Sequence, residues 1–137
     1  MFCCAGGATR GYQLAGVPYV IEQPTGHGGL IRTDLRLCMD MFRNGPPPWV
    51  QRHRDFELQG FTVAQPKHRP HEGRVRGMRH GKVFDGPYVA AYGSGGGKAT
   101  VAEMQHALGI SWTSVRGELT EAIPPAYTKF IGERFLE

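Results

Sequence analysis

Acidic residues are scarce where basic residues are densest. Between Lys67 and Lys82 the chain has one carboxylate, Glu72, against Lys67, Arg69, Arg74, Arg76, Arg79 and Lys82. So unbalanced a stretch reads either as a solvated basic loop or as a surface that neutralises phosphates and releases their counterions. Long hydrophobic runs are missing as well. No apolar stretch approaches the roughly 18 residues of a membrane-spanning helix, so no membrane association is expected. No charged start leading into an apolar stretch suggests a signal peptide. The only cysteines are Cys3, Cys4 and Cys38. An odd count with two adjacent does not make a disulfide framework, and a reducing, cytoplasmic setting is expected. Metal-ligand spacing is absent too. His68, His71 and His80 have no cysteine close by in the chain and match no zinc pattern, so no metal is expected. There is no GxSxG elbow to support a Ser-His-Asp triad, and neither a GK[ST] phosphate loop nor a GxGxxG turn.

With 137 residues the chain is one domain or a piece of one. Its 20 Gly and 10 Pro imply many loops, while a 40% hydrophobic share implies a folded core between long irregular segments. "FCCAGGATRGYQLAG" reads as a strand end at Phe2–Cys4, a glycine turn, and a short helix that Thr9 caps and that carries Tyr12, Leu14 and Ala15. "VPYVIE" is apolar and β-branched, as the central strand of an α/β sheet should be. In "LRLCMDMF", Leu35, Cys38, Met39 and Phe42 form a short helical face. "VQRHRDFEL" is strand-like, and no periodicity is evident from Gln59 to Gly97. "GSGGGK" at 93–98 resembles a hinge. Thr100, Glu103 and Gly109 supply an N-cap, a capping-box carboxylate and a stop for one helix. "PPAYTKFIGERFL" starts another, with Tyr127, Phe130, Ile131 and Phe135 at helical spacing.

Four features could carry chemistry. A strand, glycine turn and helix can hold a ligand at the strand's carboxyl edge, or be a plain left-handed turn. Glu22, ending an apolar strand, could hydrogen-bond or protonate a ring nitrogen, or stand in solvent. Arg52 and Arg54 fall on one side of a strand by period two. Two guanidinium groups there suit phosphate or carboxylate recognition, or simply charge a sheet face. Cys3 and Cys4, near a helix start, are either activated thiols or packing residues.

In order, these pieces resemble the DNA (cytosine-5) methyltransferase family, in particular its compact bacteriophage and actinobacterial members. "FCCAGGATRGYQLAG" is similar to the loop that holds S-adenosylmethionine, and "PYVIEQP" to the Glu-Asn-Val motif, with Gln23 in place of Asn. "LCMDMF" is similar to a Leu-Cys-x-x-Met-Phe stretch. "VQRHRDFE" resembles the Gln-x-Arg-x-Arg motif with Val50 at the Gln place. "KATVAEMQHALGI" and "ELTEAIPPAYTKFIG" resemble the family's later helix and final motif. The resemblance implies Glu22, Arg52 and Arg54 as the catalytic residues and S-adenosylmethionine as the cofactor. It places Phe2, Ala5, Gly6, Gly7, Glu121, Ala122 and Ile123 around that cofactor, with Glu121 where the family has Asn. It also gives the basic residues Lys67, Arg69, Arg74, Arg76, Arg79 and Lys82 a role in binding double-stranded DNA.

The resemblance also exposes a gap. In the family a long segment separates the cofactor loop from the Glu motif, and it contains the Pro-Cys whose thiolate attacks the cytosine ring. Here Gly16 meets Val17, and no Pro-Cys dipeptide occurs. Cys3 and Cys4 lie in the donor loop, poorly placed to attack a flipped base. The expected fold is therefore α/β: an incomplete Rossmann-like, S-adenosylmethionine-dependent methyltransferase fold with a short irregular target-recognition segment. Residues 1–58 would be a partial core, 59–98 the basic target-recognition-like segment, and 99–137 the helices completing the core. Such a sheet must pair its remaining strands differently and would expose apolar edges unless a second copy or a complementing chain covers them. Three functional expectations follow: a family member inactive alone, a DNA-binding remnant, or one half of a split enzyme.

Overall fold

A computed structural model describes residues 7–26, 28–43, 45–92 and 99–137. The apolar stretch before Glu22 does form a strand, β1 (Tyr19–Pro24). It pairs antiparallel with β3 (Arg54–Gln59), Tyr19 opposite Gln59, Glu22 opposite Phe56 and Pro24 opposite Arg54. The short β2 (Leu35–Leu37) pairs antiparallel along the other edge of β3, giving the order β1-β3-β2. β1 is thus an edge strand, where the composition had suggested a central one. The reason is visible in its burial: Tyr19 and Gln23 turn inward while Val20 stays 44% exposed. The architecture is mixed α/β, and its ladder is antiparallel where a doubly wound sheet is parallel.

β3 is covered on both faces, by different chemistry. Phe56 and Leu58 join Leu35, Leu37, Val63, Tyr127 and Ile131 in one apolar core. On the opposite face Asp55 and Glu57 are buried but paired. Arg36 donates to Asp55 at 2.6 and 3.0 Å, and Tyr19 donates its hydroxyl proton to Glu57 at 2.9 Å. Buried carboxylates persist only when paired in this way. The stretch expected to be helical from Leu35 to Phe42 is instead β2 followed by a 3-10 turn over Met39–Met41. Leu35 and Leu37 alternate into the core at period two, which outweighs the weaker helical spacing.

Two of the helices build a second core. α1 (Gly7–Ala15) buries none of its residues, and Thr9 lies within it instead of capping it. α2 (Val101–Leu108) has the expected ends. Thr100 Oγ1 accepts from the Glu103 amide, Glu103 accepts from the Thr100 amide, and Gly109 takes a left-handed φ of 71°. α3 (Arg116–Glu121) and α4 (Pro125–Phe135) follow. Met104, Ala107, Leu108 and Leu119 pack with Val50, Val89, Ala91, Ala99 and Ile110. Tyr127 and Ile131 of α4 belong to the sheet's core, and Met39 touches both cores. Described residues from both ends of the chain share these cores, and Val63 enters one cluster while Val89 and Ala91 enter the other.

Within 59–98 lies a hairpin that periodicity does not announce, β4 (Gly77–Arg79) with β5 (Lys82–Phe84). His80 and Gly81 both have positive φ, 50° and 74°, the requirement of a tight type I′ turn. No helix among the described residues is long and apolar enough to cross a membrane.

Candidate functional site

Pairing of β1 with β3 brings Glu22 beside Arg54, 32 positions later in the chain. Glu22 sits opposite Phe56, and Arg54 is its diagonal neighbour on the same face. Arg54 Nε stands 2.5 Å from Glu22 Oε1. Glu22 Oε1 is buried within this ion pair. Burial raises the Glu22 carboxyl above the usual carboxylate range, against the opposing pull of Arg54 and Arg52. A half-buried acid with a raised pKa can give a proton to a ring nitrogen.

Arg52 is turned elsewhere. The expectation that it shares a strand face with Arg54 fails, because β3 begins only at Arg54 and Arg52 has a left-handed φ of 43°. Its guanidinium donates to three carbonyls, those of Ala91 at 2.5 Å, Thr120 at 2.8 Å and Ala122 at 2.6 Å. Its own carbonyl accepts from the Tyr127 hydroxyl at 2.5 Å. Burial pushes the Arg52 pKa down to about 10, so it is still charged at neutral pH. Among the described residues its Nε is buried without a hydrogen-bond partner.

The residues expected around the cofactor form no described cradle. Phe2, Ala5 and Gly6 lie outside the described residues, as do Cys3, Cys4 and the 93–98 hinge. Gly7 opens α1. Glu121 and Ile123 are exposed, and the Ala122 carbonyl is taken by Arg52. Of these, the described Gly7, Glu121, Ala122 and Ile123 do not line the cavity of about 250 Å³ beside Trp49 and His106, or the groove of about 280 Å³ between Tyr19 and Phe135.

The basic residues divide. Arg76 is ion-paired with Glu103. Lys67, Arg69, Arg74, Arg79 and Lys82 are exposed, and among the described residues no ion pair reaches them. Arg79 and Lys82 are directly opposite one another in the hairpin. Like charges so placed destabilise the pair they sit in. Arg74 and Arg79 both stand 5.8 Å from the Phe84 ring, which gathers positive charge on one face of the ribbon. Met78 and Val83, 64% and 77% exposed, occupy the other.

One grouping was invisible in the linear sequence. Cys38, His53, His68 and His71 direct their ligand atoms to within 4.8 Å of one another. They come from three separate segments: the end of β2, the lead-in to β3, and the irregular stretch after Val63. The histidines looked isolated from cysteine because only the fold joins them; His80 lies in the hairpin turn, apart from the group. Comparison of the chain with models of known families, with curated proteins and with solved structures gave no match.

Proposed function

We propose that this chain is a DNA (cytosine-5) methyltransferase-like protein that binds double-stranded DNA, can seat a pyrimidine edge, and does not transfer a methyl group alone. The observation that supports it most is the half-buried Glu22 carboxyl, its pKa raised by burial, with Arg54 Nε 2.5 Å from its Oε1. Cytosine presents a ring nitrogen beside a carbonyl oxygen. A protonated carboxyl serves the first and a guanidinium N–H the second. Such a base must be extruded from its duplex, and the exposed basic ribbon supplies the phosphate contacts that hold the duplex meanwhile.

The missing Pro-Cys has no substitute among the described residues. Cys38 is fully buried, burial pushes its thiol up to about 11, and its Sγ donates to the Gln51 carbonyl at 3.0 Å. A protonated, enclosed thiol does not attack a ring carbon. S-adenosylmethionine is the methyl donor that the resemblance implies, and the DNA-binding half of the proposal does not depend on it. Purified protein should bind cytosine-containing duplex DNA with an affinity that falls steeply with salt. It should form no covalent adduct with a 5-fluorocytosine duplex and transfer no label from S-adenosylmethionine. Undetectable DNA binding at low salt overturns the first half, and a covalent adduct overturns the second.

A complementing chain or second copy is the alternative that one feature favours. Among the described residues the outer edge of β1 has no partner, and Tyr12, Leu14, Val17 and Val20 are exposed around it. Unpaired edges with apolar neighbours accept a further strand. Sedimentation of the chain alone distinguishes a homodimer from a monomer awaiting another chain.

A further inference from the structure

We propose that Cys38, His53, His68 and His71 together bind one zinc(II) ion that fastens the irregular basic segment to the sheet. The spacing fits. With zinc–nitrogen bonds of about 2.0–2.1 Å, two nitrogens of a tetrahedral site stand about 3.3 Å apart. His53 Nε2 and His68 Nε2 are 3.2 Å apart. The widest separation in the group is 4.8 Å, so a side-chain adjustment of about 1 Å closes the tetrahedron. His71 stands edge-on to both other rings, at 5.2 and 5.0 Å between centroids.

The surroundings support the same conclusion. Asp40, 1% exposed, accepts from His71 Nδ1 and from the Tyr88 hydroxyl, the latter at 2.8 Å. A carboxylate behind one ring nitrogen fixes the tautomer that leaves the other free to coordinate, as behind most metal-bound histidines. Tyr88 is itself held by the Glu72 amide at 3.0 Å, so the support reaches back to the segment that carries His71. Cys38 is buried while His68 is exposed, which gives an ion one route of entry.

One thiolate and three imidazoles suit zinc, and would exclude magnesium or calcium, which take oxygen. Four protein ligands close the coordination sphere, so the site is structural. Its place in the fold makes sense of that role. Residues 61–74 form no helix or ladder strand, yet His68 and His71 lie on either side of Arg69. Tied to Cys38 and His53, they hold this stretch against the ends of β2 and β3. The site would stand even if the methyltransferase reading failed.

The test uses the full chain, stripped with a chelator and titrated with cobalt(II) and then zinc(II). One equivalent of cobalt should give the visible absorption of a tetrahedral ion together with a thiolate charge-transfer band, and one equivalent of zinc should abolish both. Cys38→Ser should remove the charge-transfer band. His68→Ala, at an exposed position that the fold does not need, should weaken cobalt binding by about tenfold or more. Binding well below one equivalent, an octahedral cobalt spectrum, or an unchanged spectrum in His68→Ala each overturns the proposal. Because His68→Ala decides by itself, it does so even where Cys38→Ser fails to fold.

Discussion

Replacing Arg52 with Met tests whether this arginine holds the fold or waits for a ligand. Met keeps an unbranched apolar stem and removes the charge. Three carbonyls, of Ala91, Thr120 and Ala122, then lose their donor. A buried acceptor left without a partner costs about 1–3 kcal/mol; with the Thr120 and Ala122 bonds only part-buried, three at about 1–2 kcal/mol each come to about 3–6 kcal/mol. Relief from burying a cation offsets part of this, about 1–2 kcal/mol once water enters the vacated space. The left-handed φ of 43° is as unfavourable for Met as for Arg, so strain cancels. The net loss is about 2–4 kcal/mol, a large share of the 5–15 kcal/mol by which domains are usually stable. Urea unfolding followed by far-ultraviolet circular dichroism reads it as a lower midpoint at constant slope. Arg52→Lys, which can satisfy one carbonyl, should fall between the two. A loss below about 1 kcal/mol for Arg52→Met at unchanged slope would refute the reasoning and leave Arg52 free to serve a ligand.

Carbon-13 titration of the Glu22 carboxyl should give a pKa above the unfolded value near 4.5, and higher again in Arg54→Gln; a midpoint at or below 4.5 contradicts the burial argument. Since the folded value is raised, the native state holds more protons between the two pKa values. The stability linked to Glu22 is therefore greatest below the unfolded pKa and is lost as pH rises through the folded one, and Glu22→Gln should remove that slope. Arg79→Ser with Lys82→Ser should lessen like-charge repulsion across the hairpin yet weaken DNA binding, lowering the salt slope by about 0.9 for each phosphate no longer neutralised. An unchanged slope would place DNA elsewhere. Thr100→Ala should cost about 1 kcal/mol by opening the capping box of α2, measured by thermal unfolding against Thr128→Ala as an exposed control.

Local signals were legible wherever the answer depended on neighbours in sequence. Thr100, Glu103 and Gly109 bound α2 at both ends, and the aromatic spacing after Pro125 gave α4, with Tyr127 and Ile131 buried as one face requires. "VPYVIE" read correctly as a strand, while its place at the sheet edge depended on which strand it met. The β4–β5 hairpin was missed though its signal was present. Each strand has three residues, too few for periodicity, but a glycine in second place between two short arms, in "RHGK", suits a type I′ turn. The grouping of Cys38 with His53, His68 and His71 left no local signal, because its members lie up to 33 positions apart.

Arg52, His53 and Arg54 show why period two failed at the candidate site. As part of a strand they should alternate, with the two arginines together and the histidine opposed. In the fold they fan out in three directions: Arg52 to the carbonyls at Ala91, Thr120 and Ala122, His53 to the imidazole cluster, and Arg54 to Glu22. The left-handed residue at 52 interrupts the extended run just before β3 begins. A non-glycine residue persists there only if its surroundings over-determine it, and the three carbonyls with the Tyr127 hydroxyl do so. Tertiary contacts made about 40 to 70 positions away therefore decide the local dihedral. The same turn that removes Arg52 from the strand face leaves Arg54 to meet Glu22, and it aims His53 at Cys38 and the two histidines.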